Sequence, residues 1–231
     1  MEHPLTMTYG PVSGWLILLL LGGISGSFFL YQVVKASRLV LKGSPDNRFD
    51  NWGARIMEVL TGWLGQKKVL KDRVAGGIHV LMFWGFLMLS TDMFDLATAN
   101  WFSHHFLPAI VKGPWNLIVE TGYTLALIGC MAALIRRVVF TPDKLKGKSQ
   151  LEGNFILILI MTITVTSFFV EAGESTVSST WEPIGAWVAS AIVPSTTLVV
   201  GAYWMHMLAI STFLFLIPLS KHMHLVMAFP N

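Results

Sequence analysis

The chain holds a single cysteine, Cys130, among its 231 residues. One thiol cannot close a disulfide within the chain, complete a C-x-x-C-H haem attachment, or hold a cysteine-ligated iron–sulfur cluster. Any redox cofactor must therefore be bound by other side chains. No glycine-rich phosphate loop appears, which removes that signature of nucleotide binding. There is no internal repeat and no low-complexity tract, so a solenoid or a biased linker is not indicated. Charged residues make up only 13% of the sequence. The long apolar runs show no alternation of apolar and polar residues, and so do not read as strands of a closed barrel.

What is present is apolar surface. Hydrophobic residues are 54% of the chain and the mean hydropathy is +0.62, too apolar for an ordinary soluble domain. A spanning helix needs roughly 20 mostly apolar residues. Five segments qualify, at about 14–36, 75–97, 115–140, 154–173 and 200–226. The expected fold is an all-α membrane protein, a five-transmembrane-helix bundle forming a single membrane domain over residues 1–231. Nothing basic precedes the first segment and its apolar run exceeds a signal-peptide core, so it reads as a retained span.

The cations give an orientation. Lys35, Arg38, Lys42, Arg48, Arg55, Lys67, Lys68, Lys71 and Arg73 follow the first span. Arg136, Arg137, Lys144, Lys146 and Lys148 follow the third, and Lys221 lies near the end of the last. Only Lys112 falls in the opposite set of loops. Positive residues collect on the cytoplasmic side, which places the N-terminus outside and the C-terminus inside. The same asymmetry explains the net charge of +3 as membrane topology, with no nucleic acid partner implied.

In the inner loop, GSPDN at 43–47 is a turn signal. The stretch after it places Ile56, Leu60, Trp63 and Leu64 at roughly helical spacing. It reads as a helix on the membrane surface, with a docking face for a soluble partner as the alternative. The outer loop 174–199 has no cation, and Trp181 and Trp187 suit the interface, so a short amphipathic segment is expected there. Gly22 and Gly26 form a small-residue pair that permits close helix packing.

The histidines carry the chemistry. Ionisable side chains within spans are costly and tend to mark function. His206 and His224 are 18 residues apart, which in one helix is five full turns and about 27 Å of rise. On that reading both leave the same face at opposite depths, while His222 points about 200° away. Pro218 between them is a place for a kink. His79 lies near the inner end of the second span, at the depth expected for His224. Two imidazoles facing each other across helices can ligate a haem iron axially, so His79 with His224 is a candidate pair. The alternative is that each histidine only hydrogen-bonds a neighbouring helix. Zinc would want its ligands clustered at one depth. A partner for His206 on the second span falls at position 89, which is Leu89. His104 and His105, in the outer loop, are further candidates, and His3 reads as terminal and unstructured.

At these residues, R-V-A-G-G-I-H-V-L-M-F-W-G-F at 73–86 and H-M-L-A-I-S-T-F-L-F-L-I-P-L-S-K-H-M-H at 206–224, the chain resembles the γ-subunit family of respiratory nitrate reductase. It resembles more closely the related membrane subunits of heterodisulfide reductases and similar quinone-linked complexes. The resemblance extends over the whole chain. It implies a prokaryotic inner-membrane cytochrome with two stacked b-type haems, His79 and His224 on the inner haem, and His206 on the outer one. Leu89 departs from the family pattern of a second histidine ten residues past the first. The resemblance also implies an iron–sulfur, cysteine-rich subunit or domain on the cytoplasmic face, and quinone or menaquinone as the diffusible substrate.

Quinone chemistry needs proton-handling groups. The outer-side candidates are Asp92, Asp95, Glu120, His104 and His105, with Lys112 for a quinone oxygen or a haem propionate. On the inner side Arg73, Arg136, Arg137 and Lys221 suit propionates, and Gly76, Gly77 and Gly85 beside His79 make room for a porphyrin or pack helices. Bis-imidazole ligation leaves no open iron position, which suits electron transfer. Two rivals are a haem-free anchor for a soluble redox complex and a small proton-coupled transporter. A transporter would usually show inverted repeats or broken helices.

Overall fold

A computed structural model of the chain describes residues 2–43, 50–92, 108–140, 148–173 and 179–227. After a two-residue antiparallel hairpin, Thr8–Tyr9 with Val12–Ser13, the structure is helical. In chain order the helices are α1 (Gly14–Val40), α2 (Trp52–Glu58), α3 (Arg73–Ser90) and α4 (Ala109–Val139). They continue as α5 (Lys148–Ala172), α6 (Pro183–Ile192), α7 (Thr196–Leu219) and α8 (His224–Met227). Five of them, α1, α3, α4, α5 and α7, are long and apolar enough to cross a bilayer. They coincide with the five segments read from hydropathy. His104, His105 and Asp95 lie outside the described residues.

Local chemistry sets the helix ends. Ser13 Oγ accepts from Leu16 N at 3.3 Å and starts α1, satisfying one of the first-turn donors. Asp72 Oδ1 accepts from Val74 N and Ala75 N at 3.2 and 3.0 Å and starts α3. Pro183 opens α6, where a missing N–H costs nothing.

The last span departs from expectation. A continuous helix over 200–226 was expected, but α7 stops at Leu219, one residue after Pro218. The proline removes a backbone donor and clashes with the preceding turn. Ser220 is extended (φ −125°, ψ 177°), and its Oγ accepts from His222 N at 3.2 Å. A single 3₁₀ turn, Lys221–Met223, then leads into α8. The five-turn argument that put His206 and His224 on one face of one helix therefore fails. The predicted opposition of His222 and His224 fails with it. Their ring centroids are 6.1 Å apart.

The chain divides into two compact units, Met1–Pro4 with Gly77–Ala209, and Leu5–Gly76 with Ile210–Asn231. In the first, α4 packs along α5 and α5 along α6. One buried cluster joins Val119, Tyr123, Phe168, Ala172 and Val188, with Leu89 packed against it. A second joins Cys130, Ala133 and Leu157, with Ile78 and Met82 against it. His3 is ordered here, its ring edge-on to Tyr203 at 5.4 Å, where a loose terminus was expected.

The α3–α4 crossing is made by glycine. A Cβ at Gly85 would fall on the backbone of Ala126 and Gly122, and one at Gly122 would stand 2.7 Å from Leu89 N. Gly85 is thus a packing glycine, with no space left for a porphyrin beside it. Gly77, about two turns before, has no atom within 4 Å of a Cβ.

In the second unit Ser25 of α1 is fully buried, its Oγ donating to Leu21 O at 2.6 Å, and Phe28 meets Phe215 at 5.0 Å. Gly22, Gly23 and Gly26 have nothing within 4 Å of a Cβ, so the small-residue pair of α1 makes no close helix contact. A Cβ at Gly76 would meet the backbone of Val69 and Leu70. In the inner loop, α2 runs into a π-helical turn, Val59–Leu64. Trp52, Ile56, Met57 and Leu60 are exposed along it, which agrees with an amphipathic surface helix. The salt bridges Arg55–Asp50 (2.7 Å) and Lys68–Glu58 (3.4 Å) are solvent-exposed and stabilise it little.

The glycine crossing yields a paired test. Gly85→Ala should cost about 1–3 kcal/mol by overpacking and lower the thermal unfolding midpoint in detergent. Gly77→Ala should leave that midpoint unchanged. Equal midpoints for the two variants would contradict the tight crossing.

Candidate functional site

His206 lies on α7 and is 7% exposed. Its Nδ1 faces three oxygens of α5: Ile163 O at 3.0 Å, Thr166 Oγ1 at 3.1 Å and Ser167 Oγ at 3.3 Å. A backbone carbonyl only accepts, so the Nδ1 proton belongs to the imidazole. The neutral ring then carries its lone pair on Nε2. A histidine whose other nitrogen is pinned to a carbonyl is the form in which imidazole ligates metals.

His224 shows the same arrangement at the start of α8. Its Nδ1 is 2.8 Å from Lys221 O, which again assigns the proton to Nδ1 and the lone pair to Nε2. The ring is exposed. His222 Nδ1 lies 2.9 Å from Ser220 Oγ, a hydroxyl that can donate or accept. His79 sits nearly two turns into α3, half-buried. It belongs to the same compact unit as His206, whereas His224 belongs to the other. The donor set of buried or pinned neutral imidazoles, with no cysteine ligand, fits a haem iron. Among the described residues no group of three or more His, Cys, Asp or Glu side chains gathers into a metal cluster.

Glu120, a candidate for quinone protons, is 2% exposed. Its Oε1 accepts from Ile184 N at 2.8 Å and Gly185 N at 2.7 Å. It caps the N-terminus of α6, where a negative charge also meets the positive end of the helix. Glu182, buried just before α6, accepts from Asn116 Nδ2 at 2.8 Å. These bonds fasten α6 to α4. Asp92 is half-buried at the end of α3, and its Oδ2 accepts from Tyr123 Oη at 3.3 Å. The Tyr123 ring meets Phe168 of α5 edge-on, with centroids 6.0 Å apart.

The remaining candidates lie near helix ends. Lys112 is half-buried in the first turn of α4, and Arg73 and Lys221 are exposed. Arg136 and Arg137 are in the last turn of α4. The Arg137 guanidinium lies over Gly153 of α5, where a Cβ would collide with it.

Sequence reading missed Tyr123, Thr166 and Ser167. Tyr123 is one aromatic residue in an apolar run. The cluster T-I-T-V-T-S at 162–167 was the available signal, a polar band within an otherwise aliphatic span.

The chain is similar to the EtfAB:quinone oxidoreductase of Syntrophomonas wolfei, 26% identical over 236 residues, covering 94% of this chain and 33% of that protein. It is also similar to the probable iron-sulfur-binding oxidoreductase FadF of Bacillus subtilis, 27% identical over 224 residues, covering 93% of this chain and 32% of that protein. The chain thus spans about a third of the length of the curated relatives it matches. Neither is by name a nitrate reductase or heterodisulfide reductase subunit. No family model matches the chain, and no solved structure matches it.

The Glu120 cap is directly testable. Glu120→Ala leaves two buried N–H groups of α6 without their acceptor, at about 1–3 kcal/mol for each such group. The unfolding midpoint should fall, and Glu120→Gln, which keeps an acceptor oxygen, should fall less. An unchanged midpoint in Glu120→Ala would overturn the capping role.

Proposed function

We propose that the chain is a membrane-embedded b-type cytochrome. It passes electrons between a quinone pool and an iron–sulfur partner on the cytoplasmic side, in a prokaryotic inner membrane with the N-terminus outside. The observation that carries this reading is His206. It is a buried histidine in a spanning helix, with Nδ1 fixed on a backbone carbonyl and the Nε2 lone pair left for a ligand. The relatives support it from a second direction, since one is named for quinone and the other for iron–sulfur binding. A single cysteine cannot hold such a cluster within these 231 residues, which is why the cluster is assigned to a separate subunit or domain.

In this reading His79, His224 and His206 are the residues that would hold haem. Haem, when bound, supplies one-electron chemistry, and the chain supplies ligands, orientation and electrostatics. The Nδ1 hydrogen bonds of His206 and His224 orient their rings. Arg73, Arg136, Arg137 and Lys221 would neutralise propionates. Asp92 and Lys112, with His104 or His105, serve the quinone end, exchanging its protons with solvent. Glu120 stands apart from that group, because its carboxylate is committed to α6.

The test is reduction by quinol. In membranes holding the intact complex, a menaquinol analogue should reduce a haem absorbance band. His79→Ala and His224→Ala should each remove the same portion of that band. If both variants retain the full band, the ligand assignment is wrong.

A further inference from the structure

The hydrogen bonds around His206 close within one turn of α5. Thr166 Oγ1 is 2.6 Å from Thr162 O, so the Thr166 proton is directed into its own helix and an oxygen lone pair is free to face Nδ1. Ser167 Oγ lies 3.3 Å from Nδ1 and donates to Ile163 O at 3.0 Å, so its proton is directed the same way and its lone pair also faces the ring. The Nδ1–H of His206 thus meets three acceptors, two hydroxyl oxygens and the Ile163 carbonyl. Thr166 and Ser167 are 8% and 5% exposed, so water does not compete for these bonds.

We propose that Thr166 and Ser167 are positioning residues for His206, whose hydroxyl oxygens join the Ile163 carbonyl in fixing the imidazole tautomer and strengthening Nε2 as a haem donor. The inference rests on the haem reading given above and adds to it the residues that tune the site. Outer-shell partners of this type orient the ring and raise ligand basicity, and hydrogen bonding around a haem ligand is a lever on its potential. A stronger donor favours the oxidised iron. Removing the two hydroxyls should therefore raise the potential of the haem held by His206 and leave any other haem unmoved.

The experiment is a spectroelectrochemical titration of the intact complex, with low-temperature electron paramagnetic resonance of the oxidised haems. The double variant Thr166→Val with Ser167→Ala should shift one haem upward by about tenfold in its reduction equilibrium, which is 59 mV for one electron. Thr166→Ser, which keeps the hydroxyl, should leave the potential at its wild-type value. Full haem content with potentials and resonances unmoved in the double variant would overturn the proposal while leaving the haem reading intact. Absence of haem from the wild-type complex would overturn the haem reading, and this proposal with it.

Discussion

A polar group in hydrocarbon has only the protein to bond with, and that constraint shapes the interior of this chain. In water an unsatisfied N–H or carboxylate finds solvent. Inside a bilayer each orphan costs several kcal/mol, roughly. The buried polar groups accordingly occur in sets. Glu120 is matched to two N–H groups of α6, Asn116 to Glu182, and His206 to the hydroxyls and carbonyl of one turn of α5. The apolar surface supplies length and insertion, while these few bonds decide which helix faces meet.

The same constraint links structure to chemistry. A histidine forced to satisfy Nδ1 on a carbonyl is left with a basic Nε2 pointing elsewhere. In the proposed reading that structural solution is also a ligand site. His206 meets the constraint on Ile163 O, while the exposed His224 makes the same kind of bond to Lys221 O. The single buried cysteine, Cys130, is packed among aliphatic residues and takes no part.

The five spans were legible because a run of about 20 apolar residues has few other physical outcomes. The amphipathic inner-loop helix and the short α6 were legible for a related reason, since tryptophans and cations mark interfaces. The register of the last helix was not. Helical periodicity holds only while the helix does, and Pro218 and Ser220 end it between the two histidines that were being compared. The role of Glu120 was hidden because its partners, Ile184 and Gly185, lie far along the chain on an element whose docking no local pattern announces. Gly85 looked equally suited to cofactor space and to packing, and only the backbone of Ala126 decides between them. Thr166 and Ser167 were hidden as partners of His206, because nothing in either segment signals the other.

The central claim is that these imidazoles hold haem, and the most direct measurement is the amount of protohaem per chain, by pyridine haemochrome, in protein isolated intact from its native membrane. The account predicts one or two haems per chain, the second requiring a partner for His206, with reduced-minus-oxidised spectra of b type. A preparation that is intact and carries no haem would contradict it and leave the chain as a membrane anchor for a redox complex.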